Sequence, residues 1–176
     1  MGTDLVKSVR SGDTYTQFKK VVETVKNRAD VEGGTKEALS LHATRLSRGI
    51  RGKDRYSPMV IVDACLQDLS IRARLVEIRV KNDLQFATLK EAIDSMRRHI
   101  TTEYSDELKE EFSTAEQRRA FVDRVVKNAK AYLAEGEAFV SMVDAIIKDI
   151  DQAGYQIKAI VECLKLLDGS KSGKVV

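Results

Sequence analysis

The 176-residue chain is rich in charged residues, at 32%, and poor in aromatic residues, at 6%, with ten glycines and a single proline. This length suits one domain with a packed core. The composition fits an all-α fold better than a β-sandwich, which would need many turn-forming residues. Residues 1 to 100 carry a net charge of +6 and residues 101 to 176 a net charge of −3. This asymmetry permits a nucleic-acid or acidic-surface partner without requiring one, because a pI near 8.8 also suits many soluble proteins.

The distribution of apolar residues bears on the cellular compartment. No charged-then-apolar leader opens the sequence, and no apolar run approaches the roughly eighteen residues of a membrane span. Cys65 and Cys163 fall on segments with an apolar periodicity, where a free thiol behaves as a small hydrophobic residue. We expect a cytoplasmic protein, or one of the host cytoplasm if it is viral, with no membrane partner.

Residues 1 to 56 predict an N-terminal arm of short helices. Asp13 is placed to cap a helix whose apolar residues, from Tyr15 to Val25, lie three, four and seven apart. Gly33 and Gly34 are expected to end that helix, and Thr35 to cap a third helical segment. This arm comes before the two long helices of the chain.

A basic loop is predicted at residues 45 to 55, which hold five basic residues and one acidic residue. Gly49 and Gly52 interrupt any regular helix there and let the backbone approach a partner. Guanidinium groups match phosphate oxygens and release counterions when they bind nucleic acid. The loop therefore favours a phosphate partner, the alternative being a solvated turn. Its basic residues are Arg45, Arg48, Arg51, Lys53 and Arg55.

A first long helix is predicted to begin at Ser57 and Pro58, a cap followed by a first-turn proline. It extends over roughly forty residues, or about 60 Å. Two apolar rows follow a four-three spacing, with a phase slip near Asn82 and Asp83. The first row is Val62, Leu66, Leu69, Ala73, Val76 and Val80, and the second is Phe86, Leu89, Ile93, Met96 and Ile100. Basic residues one heptad apart could support the loop in binding: Arg72, Arg74, Arg79 and Lys81.

Near the end of this helix, Arg97, Arg98 and His99 are explained by the favourable interaction of cations with a helix C-terminus. An acidic connector follows. Ser113 with Glu116 then predicts a capping box at the start of a second long helix.

The second long helix carries the clearest pattern in the chain. From residue 122 to residue 167, alternating steps of three and four meet apolar residues or glycine at all fourteen positions. A period of 3.5 residues is typical of a helix packed along its length on another helix. Because a short connector joins them, the two long helices are predicted to form an antiparallel, coiled-coil-like hairpin over residues 57 to 169. Residues 170 to 176 are predicted to be a disordered tail.

This hairpin should expose more apolar surface than the short helices can cover, which predicts a homo-oligomer. The expected oligomerisation residues lie on the second long helix: Phe139, Val143, Ile146, Ile150, Ile157, Ile160 and Leu164.

Motifs of catalysis are missing from the sequence. It has no GxxxxGK[ST] phosphate loop, no GxGxxG, no HExxH and no CxxC pair, and His42 and His99 are isolated. We expect a protein that is not an enzyme and that has no cofactor and no metal.

The C-terminal third resembles the UvsY family of phage recombination mediators. The resemblance rests on the lead-in Glu111, Phe112, Ser113 and on residues 146 to 160, IIKDIDQAGYQIKAI, although the family usually has a basic residue where this chain has Ala153. It implies a small helical phage protein that forms rings, binds single-stranded DNA and loads a RecA-like recombinase.

Together these patterns predict a non-catalytic, oligomeric accessory factor of DNA recombination or replication that binds single-stranded DNA. Its predicted contacts are the basic residues of the loop and of the first long helix named above. The alternative is a structural or assembly protein, such as a phage scaffold or neck component or the helical small subunit of a larger complex.

Overall fold

The computed structural model describes residues 3–47 and 57–172, which form seven α-helices and no strand. The predicted all-α fold is confirmed. The helices are α1 (Thr3–Ser11), α2 (Asp13–Arg28), α3 (Val31–Ser47), α4 (Pro58–Glu103), α5 (Ser105–Glu111), α6 (Ala115–Val125) and α7 (Lys127–Ser172).

The two long helices, α4 and α7, contain 46 residues each. They run antiparallel, because residues earlier in α4 pair with residues later in α7. Arg79 pairs with Asp144, and Arg72, seven residues earlier, pairs with Asp151, seven residues later. The predicted helical hairpin is therefore confirmed, and α7 continues through Gly154 without a break.

The described chain divides into two compact units. The first unit comprises Met1–Gly34 and Val80–Val140, and the second comprises Thr35–Arg79 and Ser141–Val176. Three helices, α3, α4 and α7, contribute to both units.

Aromatic residues form much of the core of the first unit. Phe86 of α4 meets Tyr132 of α7 edge-on, with ring centroids 6.1 Å apart. Gly136 of α7 lies against the Phe86 ring so closely that a Cβ at this position would be 2.3 Å from it. The Tyr132 hydroxyl donates to the Ala29 carbonyl over 3.1 Å, which fixes the end of α2 against α7. The core is completed by residues of six helices: Leu5, Val9, Phe18, Val25, Leu89, Ile93, Met96, Ile100, Leu108, Phe121, Val122, Val125 and Phe139.

The second unit has a smaller, aliphatic core. It contains one residue of α3, three of α4 and three of α7, namely Ala38, Ile71, Leu75, Ile78, Val143, Ile146 and Ile150.

The buried row of α4 differs from the row that the sequence predicted for its first half. The structure buries Ile71, Leu75 and Ile78 and leaves Val62 and Leu66 about half exposed or more. The sequence pattern missed the buried row of α4 because that row includes polar residues. Asp68 accepts a hydrogen bond from Arg45, and Asn82 is buried at 3% exposure between Ile78 and Phe86. The buried positions Ile78, Asn82 and Phe86 are four residues apart in succession, whereas a regular heptad row alternates steps of three and four. This is the discontinuity that the sequence predicted near Asn82.

Three predicted helix boundaries shift. Gly33 and Gly34 do not end α2; they lie in the first turn of α3, where Asp30 accepts from the Gly33 amide over 2.8 Å. Thr114, rather than Ser113, caps α6. The second long segment also starts later than expected, because the backbone turns at Val126 between α6 and α7.

At its far end, α7 extends to Ser172, past the predicted stop at Asp168 and Gly169. A single glycine lowers helix stability by only about 1 kcal/mol relative to alanine and does not by itself end a helix.

Candidate partner-binding surfaces

The described basic residues of the predicted DNA site are mostly paired with carboxylates of the same chain. Arg45, with an 11% exposed side chain, lies 3.4 Å from Asp68 and forms a second ion pair with Asp149. His42 approaches the same Asp149 carboxylate at 3.5 Å. Arg45 therefore holds α3 against both α4 and α7 within the second unit.

Two further predicted DNA contacts cross the helical hairpin. Arg72 donates two hydrogen bonds to Asp151, of 2.7 and 3.3 Å, and Arg79 lies 2.6 Å from Asp144. The Arg72 hydrogen bond holds the pKa of the Asp151 carboxyl below its ordinary value, and the same contact raises the pKa of Arg72. These pairs repeat at heptad spacing and set the register of α4 on α7.

Arg74 is also engaged, since its guanidinium reaches Glu37 at 2.6 Å and Glu77 at 2.8 Å. Hydrogen bonds to Glu37 and then Glu77 raise the pKa of Arg74. Lys81 is exposed on α4. Arg48, Arg51, Lys53 and Arg55 lie outside the described residues. In the described part of the chain, the arginines that the sequence assigned to DNA thus contribute little uncompensated charge.

The predicted oligomerisation residues fall into two groups. Phe139, Val143, Ile146 and Ile150 are buried in the cores of their own units, whereas Ile157 is half-buried and Ile160 is exposed. The Leu164 side chain lies outside the described residues. Only the far end of α7 therefore presents predicted contact residues to a partner.

An apolar stripe on α4 is exposed instead. Met59, Val62, Leu66 and Leu69 are 67, 49, 60 and 62% exposed, Ala73 is exposed as well, and Val76 is half-buried. Their spacing of three and four residues is that of the two seam positions in a coiled coil. We name residues 59, 62, 66, 69, 73 and 76 the α4 seam. It lies entirely within the second unit.

A groove between α4 and α7 opens beside the α4 seam. It has a volume of about 370 Å³ and is lined by Leu69 and Arg72 of α4 and by Gly154, Tyr155 and Ile157 of α7, among others. Tyr155 is 75% exposed. The groove extends the apolar surface of the seam toward α7.

A basic cleft in the first unit was not predicted from the sequence. It has a volume of about 940 Å³ and lies among the end of α4, the helix α5 and the start of α6. Five of its lining residues are basic, namely Arg97, Arg98, Lys109, Arg118 and Arg119, and one, Asp94, is acidic. The sequence does carry a sign of the cleft: adjacent arginines stand on both sides of the acidic connector, Arg97 and Arg98 before it and Arg118 and Arg119 after it.

The described residues include no group of three or more His, Cys, Asp or Glu side chains that could hold a metal ion. Cys65 is half-buried and Cys163 is exposed, and both are free thiols. No helix within residues 3–47 and 57–172 has the length and apolar character needed to cross a membrane.

Comparison of the chain with protein-family models, with curated proteins and with solved structures gave no match. The resemblance to the UvsY family is neither supported nor refuted by this outcome.

Proposed function

We propose that this protein is a non-catalytic assembly protein whose subunits associate through the α4 seam. The observation that carries the proposal is a heptad row of apolar side chains that is exposed from Met59 to Ala73, over about four turns of one helix. Soluble monomers rarely expose contiguous apolar surface of this kind, and such surfaces mark protein contacts. The partner we propose is a second copy of the same helix.

Charges beside the α4 seam favour a parallel arrangement of two copies. The residues that follow seam positions Val62 and Val76 form one edge of the seam and are acidic, namely Asp63 and Glu77. The opposite edge carries Arg72, which precedes seam position Ala73. In a parallel pair, these edges face each other, so that Arg72 of one copy meets Glu77 of the next, five residues further on. In an antiparallel pair, like charges meet across the seam. The Arg72 side chain is 41% exposed beside its pair with Asp151, and that of Glu77 is 67% exposed.

Light scattering during size-exclusion chromatography tests this proposal. We expect the wild-type protein to have at least twice the 19.7 kDa mass of the chain. The double variant Leu66→Lys/Leu69→Lys should have the monomer mass, because it places two charges in the seam.

The control is Gln67→Lys/Thr88→Lys, which adds the same charge at exposed polar positions of α4 outside the seam and should leave the mass unchanged. A second comparison, Ile157→Lys/Ile160→Lys, reports on the far end of α7. A monomeric wild-type protein, or loss of the oligomer only in the α7 variant, would overturn the assignment to α4.

A second candidate function is single-stranded DNA binding by the oligomer, with a RecA-like recombinase as the further partner. The sequence cluster Arg48, Arg51, Lys53 and Arg55 favours it, as does the resemblance to UvsY. Because Arg45, Arg72, Arg74 and Arg79 pair with carboxylates, this proposal now depends chiefly on that cluster.

Fluorescence anisotropy of a labelled single-stranded oligonucleotide tests the second candidate. Binding should weaken steeply with salt. The triple variant Arg48→Ala/Arg51→Ala/Arg55→Ala should bind less tightly at an unchanged melting temperature. Equal affinity in this variant would exclude the cluster as the DNA site.

A further inference from the structure

We propose that the basic cleft of the first unit is a binding site for a small oligophosphate anion, such as inorganic tripolyphosphate or the phosphate chain of a nucleotide. Its lining residues are other than those of the α4 seam and of residues 45 to 55.

The cleft concentrates positive charge from three consecutive helices. Arg97 and Arg98 come from the last turns of α4, Lys109 from α5, and Arg118 and Arg119 from the first turns of α6. Set against Asp94, the five basic residues give the lining a net charge of +4. A concave surface lined by one sign of charge focuses the electrostatic potential and raises the local concentration of the opposite ion.

Much of this charge is not neutralised within the chain. Arg97 lies 3.0 Å from Asp123, and Lys109 lies 3.1 Å from Asp106, so these two cations are paired. Arg118 instead donates to the Phe112 carbonyl, a neutral acceptor, over 3.2 Å and forms no ion pair within the described part of the chain.

Arg98 and Arg119 are exposed and form no ion pair with any residue that the structure describes. The cleft therefore offers three guanidinium groups from two helices.

Hydroxyl-bearing residues and the first turn of a helix accompany the basic side chains that line the cleft. Thr102 and Ser105 contribute hydroxyl-bearing side chains to the lining, and Ala115 brings the first turn of α6 to its edge. The Thr101 hydroxyl donates to the Arg97 carbonyl over 2.7 Å. Guanidinium forks, hydroxyl groups and the positive end of a helix are the donors that phosphate oxygens accept from in proteins. Several phosphates in one ligand are needed to engage arginines that lie on separate helices.

The size of the cleft indicates a small ligand. Its volume of about 940 Å³ lies within the 300 to about 1,000 Å³ of typical small-molecule sites. None of its lining residues is aromatic, so it has no platform on which the bases of a nucleic acid strand could stack. Recognition is expected to depend on the phosphates and not on a base.

Isothermal titration calorimetry with inorganic tripolyphosphate at low and at physiological salt tests the proposal. We expect salt-sensitive binding with one site per chain. The variant Arg98→Gln/Arg119→Gln should lower the affinity by about tenfold or more, since it removes two charge-assisted contacts. Both side chains are exposed, so the melting temperature should not change.

The control is Lys20→Gln/Lys90→Gln, which removes the same charge from exposed positions of the first unit outside the cleft and should keep the wild-type affinity. Absence of tripolyphosphate binding at low salt would overturn the proposal, as would equal affinity in the cleft variant and the wild type. A third arm uses a single-stranded oligonucleotide. If the cleft variant loses oligonucleotide binding but binds tripolyphosphate normally, the cleft is a nucleic-acid contact and the proposal is wrong.

Discussion

Arg72 and Asp151 join the two long helices through a pair of parallel hydrogen bonds, 2.7 and 3.3 Å long. The pair is partly exposed, with 41 and 42% of the two side chains accessible, so solvent screens the attraction. Its larger effect is on register, because an ion pair one heptad away joins Arg79 to Asp144. A slip of either helix would separate both pairs at once.

The Arg72–Asp151 pair predicts a dependence of stability on pH. Because the pKa of Asp151 is lower in the folded state than its unfolded value of about 3.9, the stabilisation is present above that value. It is lost as pH falls through the folded pKa. Urea unfolding between about pH 5 and pH 2 should show a smaller decrease in stability for Asp151→Asn than for the wild type. Asp83→Asn, which removes an exposed carboxylate from α4, serves as the control. Equal decreases in the wild type and Asp151→Asn would contradict the assignment.

The contact between Gly136 and Phe86 predicts opposite effects for two alanine substitutions on α7. Gly136→Ala should lower the free energy of unfolding by about 1–3 kcal/mol, because a Cβ 2.3 Å from the buried Phe86 ring forces the core apart. Gly154→Ala is the matched control. A Cβ there meets no described atom within 4 Å, so the higher helix propensity of alanine should raise stability by up to about 1 kcal/mol. Chemical denaturation measures both, and a stabilising Gly136→Ala would show that this close packing is absent.

Tyr132 predicts a difference between two tyrosine-to-phenylalanine variants. Its hydroxyl donates to the Ala29 carbonyl, and burial raises its pKa. Tyr132→Phe should lower the free energy of unfolding by about 0.5–1.5 kcal/mol through loss of this hydrogen bond. Tyr155→Phe, at a 75% exposed position, should change it little. Thermal unfolding followed by circular dichroism compares them; equal stability of the two variants would argue against the Tyr132 contact.

The capping box of α6 predicts which of two adjacent hydroxyls is important. Thr114 accepts from the Gln117 amide over 3.2 Å, and the Gln117 side chain accepts from the Thr114 amide over 3.3 Å. Thr114→Ala should therefore cost about 1 kcal/mol of unfolding free energy. Ser113→Ala, at the residue that the sequence pattern favoured as the cap, should cost less. The reverse order, measured by urea denaturation, would restore the original prediction.

Patterns that depend on apolar periodicity predicted the fold well. The row on the second long helix led to the antiparallel hairpin, and Val143, Ile146 and Ile150 of that row are indeed buried. The second row predicted on α4, from Phe86 to Ile100, is likewise buried. The first row, from Val62 to Val80, was misread because Asn82 occupies a core position that an apolar pattern passes over. A helix with two apolar rows gives no local indication of which one faces its partner.

The candidate sites were harder to predict, since charge in a sequence carries no information on pairing. Arg72 and Arg79 read as a basic row, but their partners lie more than sixty residues away on α7. The basic cleft escaped prediction for a different reason. Arg98 and Arg119 belong to separate helices that only the tertiary fold brings to one surface.

The exposed α4 seam has a consequence for how long the protein survives in a cell. If the seam is covered only when two copies meet, association stabilises the folded state by mass action, and the melting temperature rises with protein concentration. A scarce chain would then unfold and be degraded more often than an abundant one. The seam would thus couple the lifetime of each molecule to the number of its copies.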